Sequence, residues 1–182
     1  MNIFFTSDTH FFHTKMALKR GFSGDEEMNE MIISNWNSVV GRKDTVYHLG
    51  DFGFKHPLLR KTRFRLNGKI HLIIGNHDMK NKPIMHDGMF SSIIPLTTIS
   101  IEKKPIVLCH FQMRVWDRSH YNSWHLFGHT HTGMNSPKMS TGEGKCFDVG
   151  VDNWDFSPIS YEQVCEIMVN RPDNFNLARE RF

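Results

Sequence analysis

Nine side chains in this sequence carry the chemistry of metal ligation and proton transfer: Asp8, His10, Asp51, Asn76, His77, Asp78, His110, His129 and His131. They fall in five short segments, "SDTH", "LGDFG", "IGNHD", "VLCH" and "FGHTH", each behind an apolar run. Carboxylate, imidazole and amide oxygen form a mixed hard and borderline donor set that suits manganese, iron, zinc or nickel, whereas an all-carboxylate set would favour magnesium or calcium. Six or seven such donors exceed the need of one four-coordinate ion with an open position. They suit two adjacent ions if one carboxylate bridges them, and Asp51 is the natural bridge. Two ions so placed can activate water at neutral pH and hold phosphoryl oxygens through an in-line displacement, so the chemistry expected is hydrolysis of a phosphate ester.

No one segment is diagnostic. Twelve histidines in 182 residues produce about one H-x-H pair by composition alone, so "HTH" is a poor motif by itself. Asp8 or Asp51 could cap a helix, Asn76 could occupy a left-handed turn, and His110 could be a satisfied core histidine. Capping and turn preferences do not, however, place a histidine after the strand in three separate segments. The joint pattern is the signal.

The elements that must position these residues are short. "NIFFTSD", "TVYHLGD", "KIHLIIGNHD", "PIVLCH" and "WHLFGH" each read as a buried strand ending on potential ligands. Between the first two, "SGDEEMNEMIISNWNSVVG" reads as a helix with a capping box at Ser23 and Glu26. Met28, Met31, Ile32, Trp36 and Val39 mark its apolar stripe, and the methionines are expected in the core. A second helix is expected over about residues 57–66, and "SIIPLTTISIEKKPIVLCH" reads as a hairpin turning at Lys103 and Lys104. "TGMNSPKMSTGEGK" reads as a loop and "KCFDVGVD" as a strand. A final helix carries a capping box at Ser160 and Gln163 and ends before Pro172. The economical arrangement is one α/β domain over residues 1–182 with its functional residues at strand ends.

Bulk properties narrow the setting. Hydrophobic residues at 39% and charged residues at 23% exclude disorder and collagen-like structure. The opening "MNIFFTSDTH" lacks the basic start, long apolar core and cleavage pattern of a secretory signal, and no run approaches membrane-spanning length. Cys109, Cys146 and Cys165 are odd in number without C-x-x-C spacing, against both a disulfide framework and a thiolate zinc site. A cytoplasmic location and no membrane partner are therefore expected. The net charge of +3 is modest. The cluster Arg60, Lys61, Arg63, Arg65 and Lys69 reads first as a solvated helix face, and a nucleic-acid track rests on it alone.

Taken in order, the five segments resemble the five motifs of the calcineurin-like metallophosphoesterases across residues 6–131, and the tail "FDVGVDNWDFSPIS" is similar to compact, cap-free bacterial and phage members. The resemblance implies a four-layer αββα sandwich of two mixed sheets. It implies that Asp8, His10 and His131 bind one divalent ion, that Asn76, His110 and His129 bind another, and that Asp51 bridges both. Manganese is the foremost candidate, with iron, zinc, nickel or cobalt also compatible. His77 would stand beside the phosphate to protonate the departing alkoxide or stabilise the transition state, with Asp78 orienting its imidazole. The amide nitrogen of Asn76 stays free to donate to a phosphate oxygen. The implied function is attack by a metal-bridging hydroxide on a small phosphodiester, nucleotides included, or a phosphomonoester.

Other residues carry weaker expectations. Arg114, Trp116, Arg118 and Tyr121 lie between His110 and His129; an arginine such as Arg114 could grip phosphate bidentately, and an aromatic could stack on a nucleobase. His13 is close enough to "DTHFF" to reach the mouth of the site, although a surface imidazole is the simpler reading. His48, His71 and His125 lie inside strands where packing accounts for them, and His56, His86 and His120 fit no ligand slot. Two rival functions are a non-catalytic protein-interaction scaffold and a nucleic-acid module with structural metal.

Overall fold

The computed structural model describes residues 1–80, 88–135 and 142–178. His86 and residues 136–141 of the loop expected after the H-x-H pair lie outside these residues, and the start of that stretch, Thr132–Asn135, forms a short helix instead of loop. In chain order the elements are β1 (Ile3–Thr6), α1 (Thr14–Lys19), α2 (Asp25–Val39), β2 (Thr45–His48), α3 (His56–Arg65), β3 (Lys69–Ile73), α4 (Asn76–Lys80), β4 (Ser92–Ile94), β5 (Leu96–Ile101), β6 (Lys104–Cys109), β7 (Trp124–Phe127), α5 (Thr132–Asn135), β8 (Cys146–Asp148), β9 (Ile159–Ser160) and α6 (Tyr161–Asn170). Two mixed sheets result, ordered β4-β3-β2-β1-β9 and β5-β6-β7-β8. Parallel pairing joins β1 to β2, β2 to β3, β6 to β7 and β7 to β8, so these strands all point their C-terminal ends the same way within each sheet.

Alternation along the strands builds two cores. In β1, Phe4 faces the helices and Phe5 the second sheet; Val46 and Tyr47 of β2, and Leu72 and Ile73 of β3, divide likewise. The helix-side core adds Met28, Ile32 and Trp36 of α2 and Leu59 of α3. The core between the sheets joins Phe5, Leu49 and Ile73 to Ile106, Leu108, Leu126 and Phe147. Outside the second sheet, Val107, Phe127 and Cys146 are covered by Trp116 and Met113 of the segment after β6, so the outermost layer there is thin.

Several local expectations shift. Helix α2 begins at Asp25 with Gly24 as its N-cap, and Ser23 pairs with Glu27 rather than Glu26, through its backbone N–H and its hydroxyl. Met31 and Val39 face solvent, and Ile33 takes a core place instead. "SII" joins β3 as the parallel strand β4, leaving only β5 and β6 as the hairpin, with Glu102 and Lys103 both at positive φ in its turn. The capping box of α6 is present with both of its hydrogen bonds. The basic cluster is partly spent on the fold: Arg63 donates to the carbonyls of Met89, Leu66 and Gly68, and Arg65 pairs with Glu30 at 2.6 Å.

Candidate metal centre

Parallel sheets leave the carboxyl ends of their strands as the place where side chains converge. Here the loop after β1 is laced to the loop after β2 by Asp8 N–H to Gly50 O and His10 N–H to Asp51 O, at 2.9 and 3.0 Å. The backbone N–H of His129, after β7, donates to Asp8 Oδ2 at 2.8 Å, which ties the carboxyl end of β1 in one sheet to that of β7 in the other. Asp8, His10, Asp51, His129 and His131 all hold positive φ, between 48° and 71°. That conformation costs an L-residue roughly 1–2 kcal/mol, and aspartate and histidine tolerate it better than most. Close glycines make room. A Cβ on Gly75 would collide with Asp51 Oδ1, and one on Gly128 would strike Ser7 Oγ and stand 2.5 Å from Asp8 Oδ2.

Two groups of donors form. In the first, Asp8, His10 and His131 present ligand atoms within 4.8 Å of one another; in the second, Asp51, His110 and His129 do the same. Asn76 joins the second group, its Oδ1 lying 3.1 Å from His110 Nε2. Asp51 Oδ2 stands between the groups, 3.8 Å from His10 Nε2 and 3.6 Å from His110 Nε2. All seven proposed ligands thus share one cleft.

The donor set fits cations. Asp8 Oδ1 is buried without a hydrogen-bond partner, 3.8 Å from His10 Nε2 and 3.7 Å from His131 Nε2. Those two nitrogens lie only 3.3 Å apart. The Nδ1 of His131 meets Asp152 Oδ2 at 2.7 Å and that of His110 meets Leu49 O at 2.6 Å, so each ring turns Nε2 towards the cleft as an acceptor. Converging lone pairs around an orphaned carboxylate oxygen make a pocket for positive charge. Burial raises the Asp8 carboxyl to about 6, partly opposed by His110 and His131, and holds His10 well below the usual imidazole range. Burial also works against a proton on His131, but Asp152 and Asp8 outweigh it.

His77 sits half-buried at the rim, its Nε2 3.8 Å from Asp51 Oδ2 and its backbone N–H donating to Asp51 Oδ1 at 2.9 Å. Phe54 packs against its ring at 5.2 Å between centroids, and His13 lies 6.1 Å away on the same rim. His13 Nδ1 is 3.4 Å from His10 Nδ1, which brings it to the site mouth rather than the open surface.

Asp78 requires a correction. Its carboxylate accepts backbone N–H groups from Asp51 at 2.8 Å, Phe52 at 2.9 Å and Gly75 at 2.9 Å. It fixes the two ligand loops instead of orienting the His77 imidazole, because a buried carboxylate next to three unpaired donors is drawn to them first. Arg114 stands apart from the ligand groups. Its guanidinium lies over the Phe175 ring at 5.1 Å, beside a cavity of about 370 Å³ lined by Gln112, Met113, Glu143 and Phe175. Among the described residues no hydrogen bond or ion pair joins it to the ligand groups.

Arg20, Asp148 and Asp152 escaped the sequence reading. Asp148 accepts the Thr130 hydroxyl and the Gly150 N–H, shaping the loop that holds His129 and His131. The available signal was an acid recurring in the apolar stretch "FDVGVD", where burial demands a partner.

The chain matches the family model described as Calcineurin-like phosphoesterase superfamily domain over residues 1–145. It is 29% identical over 177 residues to an uncharacterized protein of Methanocaldococcus jannaschii, covering 91% of this chain and 90% of that one. It is 28% identical over 183 residues to the gene 66 protein of Mycobacterium phage D29, covering 84% and 89%. Its fold is similar to a crystal structure of a protein of unknown function from Aquifex aeolicus, with a TM-score of 0.70 at 23% identity, across 91% of this chain and 98% of the other.

Proposed function

This chain belongs to the calcineurin-like phosphoesterase superfamily, and on that premise we propose that it hydrolyses a small phosphodiester, nucleotides included, with phosphomonoesters as the alternative substrates. The observation that carries this is the meeting of two three-donor groups at Asp51 with an imidazole, His77, on the rim. Asp8, His10 and His131 would hold one divalent ion, Asn76, His110 and His129 the second, and Asp51 both. Bound there, such ions would supply Lewis-acid chemistry: activation of water and neutralisation of phosphoryl charge, with manganese first among the candidates.

The side chains do the rest. Asn76 gives its amide oxygen to the cation and turns its NH2 group to a phosphoryl oxygen. His77 Nε2 donates a proton to the departing alkoxide or a hydrogen bond to the developing charge, worth about 10²–10⁴-fold in rate. Phe54 and the backbone bond to Asp51 keep that ring aimed. Among the described residues no helix is long and apolar enough to cross a membrane. The three unpaired cysteines support a reducing cytoplasm as its location.

The test is hydrolysis of bis-p-nitrophenyl phosphate, p-nitrophenyl phosphate and a nucleotide panel by the purified chain loaded with Mn, Ni, Co, Zn or Mg. Turnover that requires metal and favours the diester is expected. Two bound metals with no turnover of any ester would sink the enzymatic reading and favour the non-catalytic scaffold.

A further inference from the structure

The two donor groups are braced by different means. Arg20, the residue that closes α1, has a side chain with no exposed surface, paired to Asp152, whose side chain is 2% exposed. The pairing is two-pronged, Nε to Oδ1 and Nη2 to Oδ2, each at 2.8 Å. The same guanidinium donates to the Asp8 carbonyl at 2.7 Å and the Thr9 carbonyl at 3.3 Å, so it grips the main chain of the loop that carries Asp8 and His10. Asp152 Oδ2 also meets His131 Nδ1 at 2.7 Å. One buried ion pair therefore touches the supports of all three ligands of the first group. In the second group the ring partner is a backbone carbonyl, Leu49 O on His110 Nδ1, and the Asp51 N–H rests on the separate carboxylate of Asp78. Among the described residues no hydrogen bond or ion pair joins Arg20 or Asp152 to Asp51, His110 or His129.

We propose that Arg20 and Asp152 are positioning residues that set cation affinity at the Asp8–His10–His131 position and leave the Asp51–His110–His129 position untouched. The inference rests on the two-cation reading above. A carboxylate on Nδ1 fixes the tautomer and raises the basicity of the opposite nitrogen, which a carbonyl does less strongly. It is itself tolerable in the interior only because the arginine fork satisfies it, since an unpaired buried charge is strongly destabilising. Arginine suits this place because its planar donors serve two acceptors in fixed directions: the carboxylate and the carbonyls of the ligand loop. A purely structural staple between α1 and the Val151–Asn153 turn would alter stability without choosing between the positions.

The experiment is calorimetric titration of the metal-free full chain with Mn²⁺, with bound metal counted by elemental analysis after dialysis. The unaltered chain is expected to bind two ions in separable events, and Asp8→Asn and His129→Ala identify which event belongs to which position. Asp152→Asn keeps an oxygen for His131 but loses the charge. Arg20→Lys keeps the charge but loses the fork, and it serves if Asp152→Asn does not fold. Each should weaken the first-position event by roughly 10- to 100-fold and leave the other within about threefold. Equal weakening of both events, or of neither, would overturn the proposal while the two-cation reading stands. Failure of the unaltered chain to bind Mn²⁺ through these residues would overturn both.

Discussion

Strand β7 and the loop beyond it carry three histidines within seven residues and use them in opposite ways. His125, in the body of the strand, has no exposed surface; its Nδ1 lies 3.1 Å from Val107 O, and its Nε2 accepts the Met113 N–H at 3.2 Å. His129 and His131, past the strand end, hold positive φ and turn their rings into the cleft. The residue type is the same; the environment differs. In the strand body every polar atom of the ring has a protein partner, so the imidazole is a neutral packing unit. At the strand end the backbone is held in an unfavourable conformation and ring nitrogens are left as acceptors, a state that a cation completes. Changes at strand ends should therefore remove chemistry with little loss of stability, and changes in strand bodies the reverse.

Asp51→Asn should show the largest effect, because Asp51 Oδ2 lies near both His10 and His110. Activity should fall by roughly 10³-fold or more, as for a group on which the whole transition state depends. Both Mn²⁺ binding events should weaken, and the metal-free melting temperature should stay within a few degrees of the unaltered chain. A loss confined to one event would break the placement of Asp51 between the groups. His77→Ala comes next, with kcat down by about 10²–10⁴-fold and two metals retained, because His77 touches the centre only from its rim. If metal is lost along with turnover, the ring is a ligand support rather than a proton donor.

Asp78 crosses the boundary between the two regions, since its side chain belongs to the interior and its effect to the ligand loops. In Asp78→Asn the new NH2 group must face a backbone donor whichever way the amide turns, because Oδ1 and Oδ2 both accept N–H groups now. The expected cost is about 1–3 kcal/mol of stability, read by denaturant titration, together with reduced kcat. Reduced kcat with unchanged stability would restore the view that Asp78 acts through the His77 imidazole.

These contrasts mark what the sequence made legible. The strands of β1, β2, β3, β6 and β7 stood out because short apolar runs ended on polar residues, and the same endings put Asp8, His10, Asp51, Asn76, His110, His129 and His131 together. Residues whose work is long-range were not legible. Arg20 sits in "KMALKRGF", where an arginine at the end of a helix has the ordinary look of a solvated charge, and its partner Asp152 lies 132 positions away. The resemblance implies that Asp78 orients the His77 imidazole, yet neighbours in a helical turn point apart, and its carboxylate meets the backbone behind it. His13 depended on whether the chain after "DTH" turned back, which rests on the positive φ of Phe12 and not on a side-chain pattern.

The smallest expected effect is also the one most specific to the strand body. Burial, partly opposed by backbone hydrogen bonds, lowers the His125 imidazole to about 4 in the folded chain, against 6.5 when unfolded. Above pH 6.5 the ring is neutral in both states and its contribution to stability is fully present. As pH falls from 6.5 towards 4 the unfolded chain takes up a proton that the native ring refuses, so stability is lost across that window, by on the order of 2 kcal/mol between pH 6.5 and 5. His48, lowered to about 3 by burial and the nearby His110, adds in the same direction. The comparison is therefore between the unaltered chain and His125→Gln, with unfolding free energy measured by denaturant at several pH values. The variant should lose stability at pH 7 from imperfect packing but show a shallower decline into acid, while metal content and turnover at pH 7 remain near those of the unaltered chain. An unchanged acid slope would mean that His125 titrates freely in the native state, and the division between strand body and strand end would then not govern imidazole chemistry in this fold.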